Sequence, residues 1–162
     1  MRTLILFYSR TGITKKVVNE IKTIINCDVD EIIDKKDRDG AIGYLFAGRD
    51  TLLKRTTEIE QHKDPRNYDI IFIGTPVWVN DMSVPIRAYI YNNKEFMQNA
   101  KKIALFCTHG GSGDKSTFLS MEKMLEKKAI ASLSLTTKEI VHSLYAKKVL
   151  EFVKSVMNNK ID

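Results

Sequence analysis

Residues 8–14 read Tyr8-Ser9-Arg10-Thr11-Gly12-Ile13-Thr14 and join two segments of opposite character. Ahead of them, Thr3-Leu4-Ile5-Leu6-Phe7-Tyr8 is continuously apolar and rich in β-favouring side chains, the pattern of a strand buried on both faces of a parallel sheet. Behind them, Ile13, Val17, Val18, Ile21, Ile24 and Ile25 recur at helical spacing, with Lys15, Lys16, Asn19 and Lys22 on the other side. The loop between offers the Ser9, Thr11 and Thr14 hydroxyls and free backbone N–H groups at a helix N-terminus, where the macrodipole favours an anion. A phosphate fits there, and so does an ordinary Ser or Thr helix cap worth about 1 kcal/mol.

The same alternation runs outward from this stretch. Val29, Ile32 and Ile33 predict a second, shorter strand, followed by a polar loop over 34–40. Residues 41–56 predict a helix interrupted or loosened around Gly43 and Gly48. Tyr68 to Gly74 predicts a third buried strand that ends in Thr75-Pro76-Val77-Trp78-Val79-Asn80. Pro85 suits a first helical turn, where its missing N–H is an orphan anyway, and a helix follows over 86–99. Ile103 to Cys107 is the fourth strand, running into the loop Thr108-His109-Gly110-Gly111-Ser112-Gly113. A helix from Lys115, an edge strand over Ile130–Thr136 and a closing helix over Val141–Met157 complete the chain. Five strands alternating with five helices predict an α/β fold: a parallel sheet between two helix layers, in a single domain over residues 1–162.

Composition sets the outer bounds. A chain of 162 residues with 43% hydrophobic and 28% charged residues is globular by content. Its apolar runs fall far short of the roughly 18 residues that span a bilayer, so no membrane insertion is expected. The N-terminus lacks the form of a signal peptide, and Cys27 and Cys107, far apart and both read as buried thiols, suit a reducing compartment. A cytoplasmic location is expected. The net charge of +6 is carried by scattered lysine pairs rather than one basic arm, which argues against a nucleic-acid partner.

In open parallel sheets, ligands bind outside the carboxyl ends of the strands where the strand order reverses. With the order 2-1-3-4-5, the unusual loops after strands one, three and four share one crevice there. Trp78 either stacks on a flat ring or folds back over the sheet end. The glycines of the third loop permit close backbone approach. That loop is not a nucleotide-triphosphate loop, because Asp114 separates Gly113 from Lys115. Nor do strands one and three end in the carboxylates that a phosphorylated receiver domain needs.

Taken with these three loops, the sequence resembles the flavodoxin family over essentially its whole length. Ser9-Arg10-Thr11-Gly12-Ile13-Thr14 is similar to the family's [ST]-x-T-G-x-T phosphate loop and sits directly after strand one. The resemblance implies a flavodoxin-like three-layer sandwich with non-covalently bound FMN. Ser9, Thr11, Gly12 and Thr14 would hold its phosphate, with Arg10 and Ile13 giving mainly backbone N–H groups. Thr75, Pro76, Val77, Trp78, Val79 and Asn80 would form the loop that lines the isoalloxazine. Cys107, Thr108, His109, Gly110, Gly111, Ser112 and Gly113 would close over the other edge, with His109 donating a hydrogen bond to the flavin pyrimidine, protonating a bound quinone, or facing solvent. Two departures stand out: flavodoxins are typically acidic, and many place a tyrosine in the third loop. The implied function is electron transport between redox partner proteins, acidic ones favoured by the basic surface, by a monomer or weak dimer. An NAD(P)H-dependent oxidoreductase acting on quinones or similar acceptors, and a non-redox module that has lost the cofactor, are the alternatives.

Overall fold

Every residue of strand β1 (Thr3–Phe7) is buried, as a central strand with neighbours on both sides and helices on both faces requires. In the computed structural model, which describes residues 1–37 and 40–159, β1 pairs in parallel with β2 (Asp28–Glu31) and with β3 (Ile70–Trp78). Parallel β4 (Lys102–His109) and β5 (Ala131–Thr136) extend the sheet to the order β2-β1-β3-β4-β5. This is the predicted 2-1-3-4-5 order, with its reversal between β1 and β3.

The alternation of side chains along the strands divides the core into two halves. Leu4, Leu6, Ile71, Ile73, Ile103 and Leu105 face one side, where α3 (Val84–Gln98) and α4 (Asp114–Leu125) contribute Ile86, Tyr89, Ile90, Met121 and Leu125. Ile5, Phe7, Ile70, Phe72, Ala104 and Phe106 face the other. There α1 (Ile13–Ile24) adds Val17, Val18 and Ile21, while α6 (Ala146–Asn158) adds Val149, Phe152, Val153 and Val156. Each fully buried Leu, Ile or Phe stabilises the fold by roughly 1.5–3 kcal/mol, so the two faces together fix the three layers. At Gly74 the sheet admits no side chain, because a Cβ there would lie 2.1 Å from the Phe106 ring.

Several boundaries differ from the sequence reading, each for a non-local reason. Helix α2 (Gly40–Leu52) is continuous through Gly43 and Gly48. Its sequence neighbours Ile33–Asp34 leave the second strand and pair antiparallel with Ile59–Glu60. Strand β3 continues past its apolar run through Thr75, Pro76, Val77 and Trp78, because β4 continues beside it, pairing Thr75 with Cys107 and Pro76 with Thr108. It then folds back as a hairpin on Asp81–Met82, with Val79 (φ 48°) and Asn80 (φ 60°) both left-handed at the tip, as a tight two-residue hairpin turn requires. Thr108 and His109 accordingly belong to β4 rather than to a loop. The expected closing helix over Val141–Met157 starts later, as α6, and a short unexpected helix α5 (Thr137–Val141) precedes it, the two separated by residues 142–145 with Ser143 at φ 58°. A capping box starts α5: Glu139 N–H donates to Thr136 Oγ1, and Thr136 N–H donates to the Glu139 carboxylate.

Candidate functional site

The carboxyl ends of β1, β3 and β4 open into a cleft of about 310 Å³, within the size range of small-molecule sites. Arg10, Thr11, Ile13 and Thr14 form one wall, and Pro76, Val77, Trp78 and Val79 another. Thr108, His109 and Gly110 line it from β4. All three loops singled out in the sequence therefore contribute to one crevice.

The first wall ends at a helix that starts from a glycine. Gly12 is the N-cap of α1 with φ 81° and ψ −6°, and as a glycine it supplies no side-chain cap. A left-handed cap turns the loop so that first-turn N–H groups lie at the helix mouth, where an anion is stabilised. Ser9 Oγ accepts from Lys15 N–H at 3.2 Å, which folds the loop back on the helix. Thr14 is buried, and its Oγ1 is 2.9 Å from Thr108 Oγ1, tying the first loop to β4 at the cleft floor. Arg10 lines the cleft and donates from Nη2 to Gly40 O at 3.2 Å, joining the loop to α2.

The second wall is apolar. Trp78 is half-buried and packs edge-on against Tyr8, with ring centroids 5.6 Å apart at 89°. It both folds onto the sheet end and lines the cleft. The hairpin bearing it is braced from below. Thr75 Oγ1 bonds Ser83 Oγ and Ser83 N–H, both at 3.0 Å. The buried Arg87 guanidinium donates to Asp81 Oδ2 at 2.7 Å, so the carboxylate nearest the hairpin is neutralised within the protein.

His109 is buried, and both its ring nitrogens are engaged within the protein. Gly111 N–H donates to Nδ1 at 3.1 Å, so that nitrogen is the acceptor and Nε2 carries the proton towards Ser134 Oγ, 2.8 Å away. This arrangement corrects the solvent-facing alternative for His109, whose ring is buried with both nitrogens hydrogen-bonded. It clamps the third loop to β5 instead. The Ser134 hydroxyl is also the main influence on Asp114, holding its carboxyl below the usual carboxylate range.

Eight residues expected at the site lie outside the cleft lining. Ser9 faces a shallower depression beside Glu31 and residues 32–37. Gly12 shapes the helix mouth, and Thr75 is buried beneath the hairpin. Asn80 turns to α4, where its carbonyl accepts from Ser116 Oγ at 2.6 Å, and Gly113 fits so tightly under it that a Cβ would lie 2.7 Å from Asn80 Oδ1. Gly111 and Ser112 are exposed. Cys107 is fully buried, and burial pushes its thiol up to about 12; Cys27, in contrast, is only half-buried.

Three lining residues escape the sequence reading: Ala47, Gly48 and Thr137. The small pair Ala47-Gly48 lets α2 approach the hairpin, a Cβ on Gly48 lying 3.7 Å from Val79. Thr137 follows the Thr136-x-x-Glu139 capping signature, a readable helix start that places it at the β5 exit.

Fold and cleft together define a flavodoxin-like α/β protein. No protein-family model and no curated protein sequence matches the chain. Among solved structures it is similar to a flavoprotein from Lactobacillus acidophilus crystallised in complex with FMN, at 25% identity and a TM-score of 0.69, over 87% of this chain and 97% of that one. The two-electron reduced flavodoxin of Megasphaera elsdenii matches at 16% identity and TM-score 0.52, over 94% and 98% of the respective chains. A WrbA-like flavodoxin from Agrobacterium tumefaciens matches at 10% identity and TM-score 0.57, over 98% and 99%. Among the described residues no helix is long and apolar enough to cross a membrane.

Proposed function

We propose that this chain binds FMN non-covalently in the cleft and carries electrons between redox partners. The observation that carries the reading is the left-handed Gly12 N-cap, which has no side chain of its own and sets the N-terminus of α1 beside an apolar wall that includes Trp78. An anionic phosphate suits the first feature and a flat ring the second. Thr11 and the first-turn N–H groups of α1 would hold the phosphate, while Ser9 and Thr14 fix the loop through Lys15 and Thr108. Pro76, Val77, Trp78 and Val79 would flank the ring, with Thr108 and Gly110 at its edge. Bound FMN supplies one- or two-electron chemistry; the chain supplies binding and electrostatics. Similarity to an FMN-bound flavoprotein at 25% identity supports the same cofactor here.

Titrating the purified apoprotein with FMN tests this reading: flavin fluorescence is quenched on binding. Thr11→Ala removes a hydrogen bond to a charged group and weakens binding about ten- to hundredfold. Trp78→Ala weakens it as well, with the far-ultraviolet circular dichroism unchanged. Absence of quenching by the native protein at high micromolar FMN would refute the proposal.

The open third loop favours a second reading, that of an oxidoreductase taking hydride from NAD(P)H. Gly110, Gly111 and Ser112 are exposed and bring no ring over the cleft. Stopped-flow mixing of the holoprotein with NADPH separates the two: bleaching without any partner protein identifies an enzyme, and none identifies a carrier. In either case the charge of Asp81, the carboxylate nearest the hairpin, is offset by Arg87. Potentiometry should then give a less negative low-potential step than in acidic flavodoxins.

A further inference from the structure

The third loop is held at its two ends by unlike means. Gly113, the N-cap of α4 with φ 90°, sits so close under the Trp78 hairpin that a Cβ would lie 2.8 Å from Val77 Cγ1. That end is wedged. At the other end a Cβ on Gly110 or Gly111 would meet nothing within 4 Å, and both residues are exposed, so close packing does not fix the chain there. The buried His109 ring does: Gly111 N–H donates to Nδ1 at 3.1 Å, and Nε2 lies 2.8 Å from Ser134 Oγ on β5. An imidazole whose Nδ1 accepts a hydrogen bond is neutral, because the imidazolium carries hydrogen on both nitrogens. Protonation turns Nδ1 into a donor facing the Gly111 N–H and leaves the Nε2–H bond to Ser134 intact. We infer that His109 is a pH-operated latch: its neutral ring positions residues 110–112 at the cleft edge, and its protonated ring releases them while staying anchored to β5.

The groups around the ring set how it answers to pH. Asp114, at the start of α4, is lowered chiefly by the Ser134 hydroxyl and also by a charged His109, so its carboxylate favours the protonated ring in return. Arg10 lines the same cleft and opposes that charge. From β3, β5 and α5 the neighbours of this strand end are Pro76, Thr136 and Thr137, none of which titrates. The Cys107 thiol, pushed up to about 12 by burial, stays neutral. Glu139 of α5 is engaged by Lys148 and Thr136, and Lys15 of α1 by Glu31. Protonation of His109 therefore adds a charge that Asp114 stabilises, at the expense of one hydrogen bond to the loop. Gly110 lines the cleft beside His109, so the latch bears on what the cleft holds. Its effect on FMN rests on the proposed binding of that cofactor, whereas the latch itself is a property of the chain alone.

Nuclear magnetic resonance of the full chain without flavin tests the latch from about pH 8 to about pH 5, the range in which histidines titrate. The Gly111 amide resonance should shift together with the His109 ring, and the heteronuclear Overhauser effect of residues 110–112 should fall as the loop is freed. His109→Asn offers an acceptor oxygen in place of Nδ1 and carries no titrating group, so its loop should hold steady across the range. Quenching of FMN fluorescence gives a second readout. Acidification should weaken native binding about two- to tenfold more than it weakens His109→Asn, the worth of one hydrogen bond. The phosphate of FMN protonates alike in both experiments, so the ratio isolates the chain. A Gly111 amide indifferent to the His109 ring, or a loop as rigid at the acid end as at the basic end, would overturn the latch on the native chain alone. So would a His109→Asn loop that loosens with acid as the native one does, or equal acid losses of FMN affinity in the two chains. FMN that binds at no pH would instead refute the cofactor reading, and the amide readout, which needs no flavin, still decides the latch.

Discussion

Cys107 is buried and Cys27 half-buried, and that difference is measurable. The thiolate is the reactive species, and burial pushes the Cys107 thiol up to about 12, while Cys27 is half-buried. Native protein at pH 8 should therefore react with Ellman's reagent at Cys27 only, with the second equivalent appearing on denaturation. Two fast equivalents would contradict the buried position of Cys107. Glu139 makes a prediction in pH. The Lys148 ammonium, then the Thr136 hydroxyl, lower its carboxyl from 4.5 to about 2. A depressed folded-state value contributes stability above the unfolded value that is lost as pH falls through 4.5 towards 2. Urea unfolding from pH 6 to 2 should show a smaller acid loss for Glu139→Gln than for the native chain, though the variant starts about 1 kcal/mol lower for its weakened cap. Parallel pH curves would contradict the assignment.

At the scale of elements, the β3–β4 contact leaves the least room. Gly74→Ala sets a Cβ against the fully buried Phe106 ring, at 2.1–2.8 Å from three ring atoms, and the ring lies within a close-packed cluster. Overpacking of this kind costs about 1–3 kcal/mol, to be read as a lower urea midpoint with an unchanged m-value. The elements whose ends were misread owe their form to partners far away in sequence. Trp78 closes a strand because Asp81 pairs back on it, and His109 belongs to β4 because Thr136 lies opposite on β5. Buried Lys102 likewise begins β4 with its Nζ donating to Val156 O at 2.9 Å, a contact that spans 54 residues. Local periodicity carries no trace of such pairings, nor of the exposure of Ile42, Leu45 and Leu52 on α2.

For the whole molecule, ligand binding couples to stability, because a ligand held only by the native cleft raises the melting temperature in proportion to the logarithm of its concentration. Excess FMN should raise the melting point of the native chain more than that of Trp78→Ala, and equal shifts would detach Trp78 from the site. The sequence by itself determined the alternation of strands and helices and the glycine-started helix after residues 9–12, while the strand order came with the family resemblance. Buried parallel strands, amphipathic helices and helix-start glycines all leave local patterns. Only the tertiary structure decided which residues of those loops reach the cleft. Along β4, Thr108 and His109 line it and Cys107 does not, and Ser9 and Asn80 turn to other neighbours. The direction of each side chain depends on strand register and on contacts made across the fold, and one residue of register reverses it.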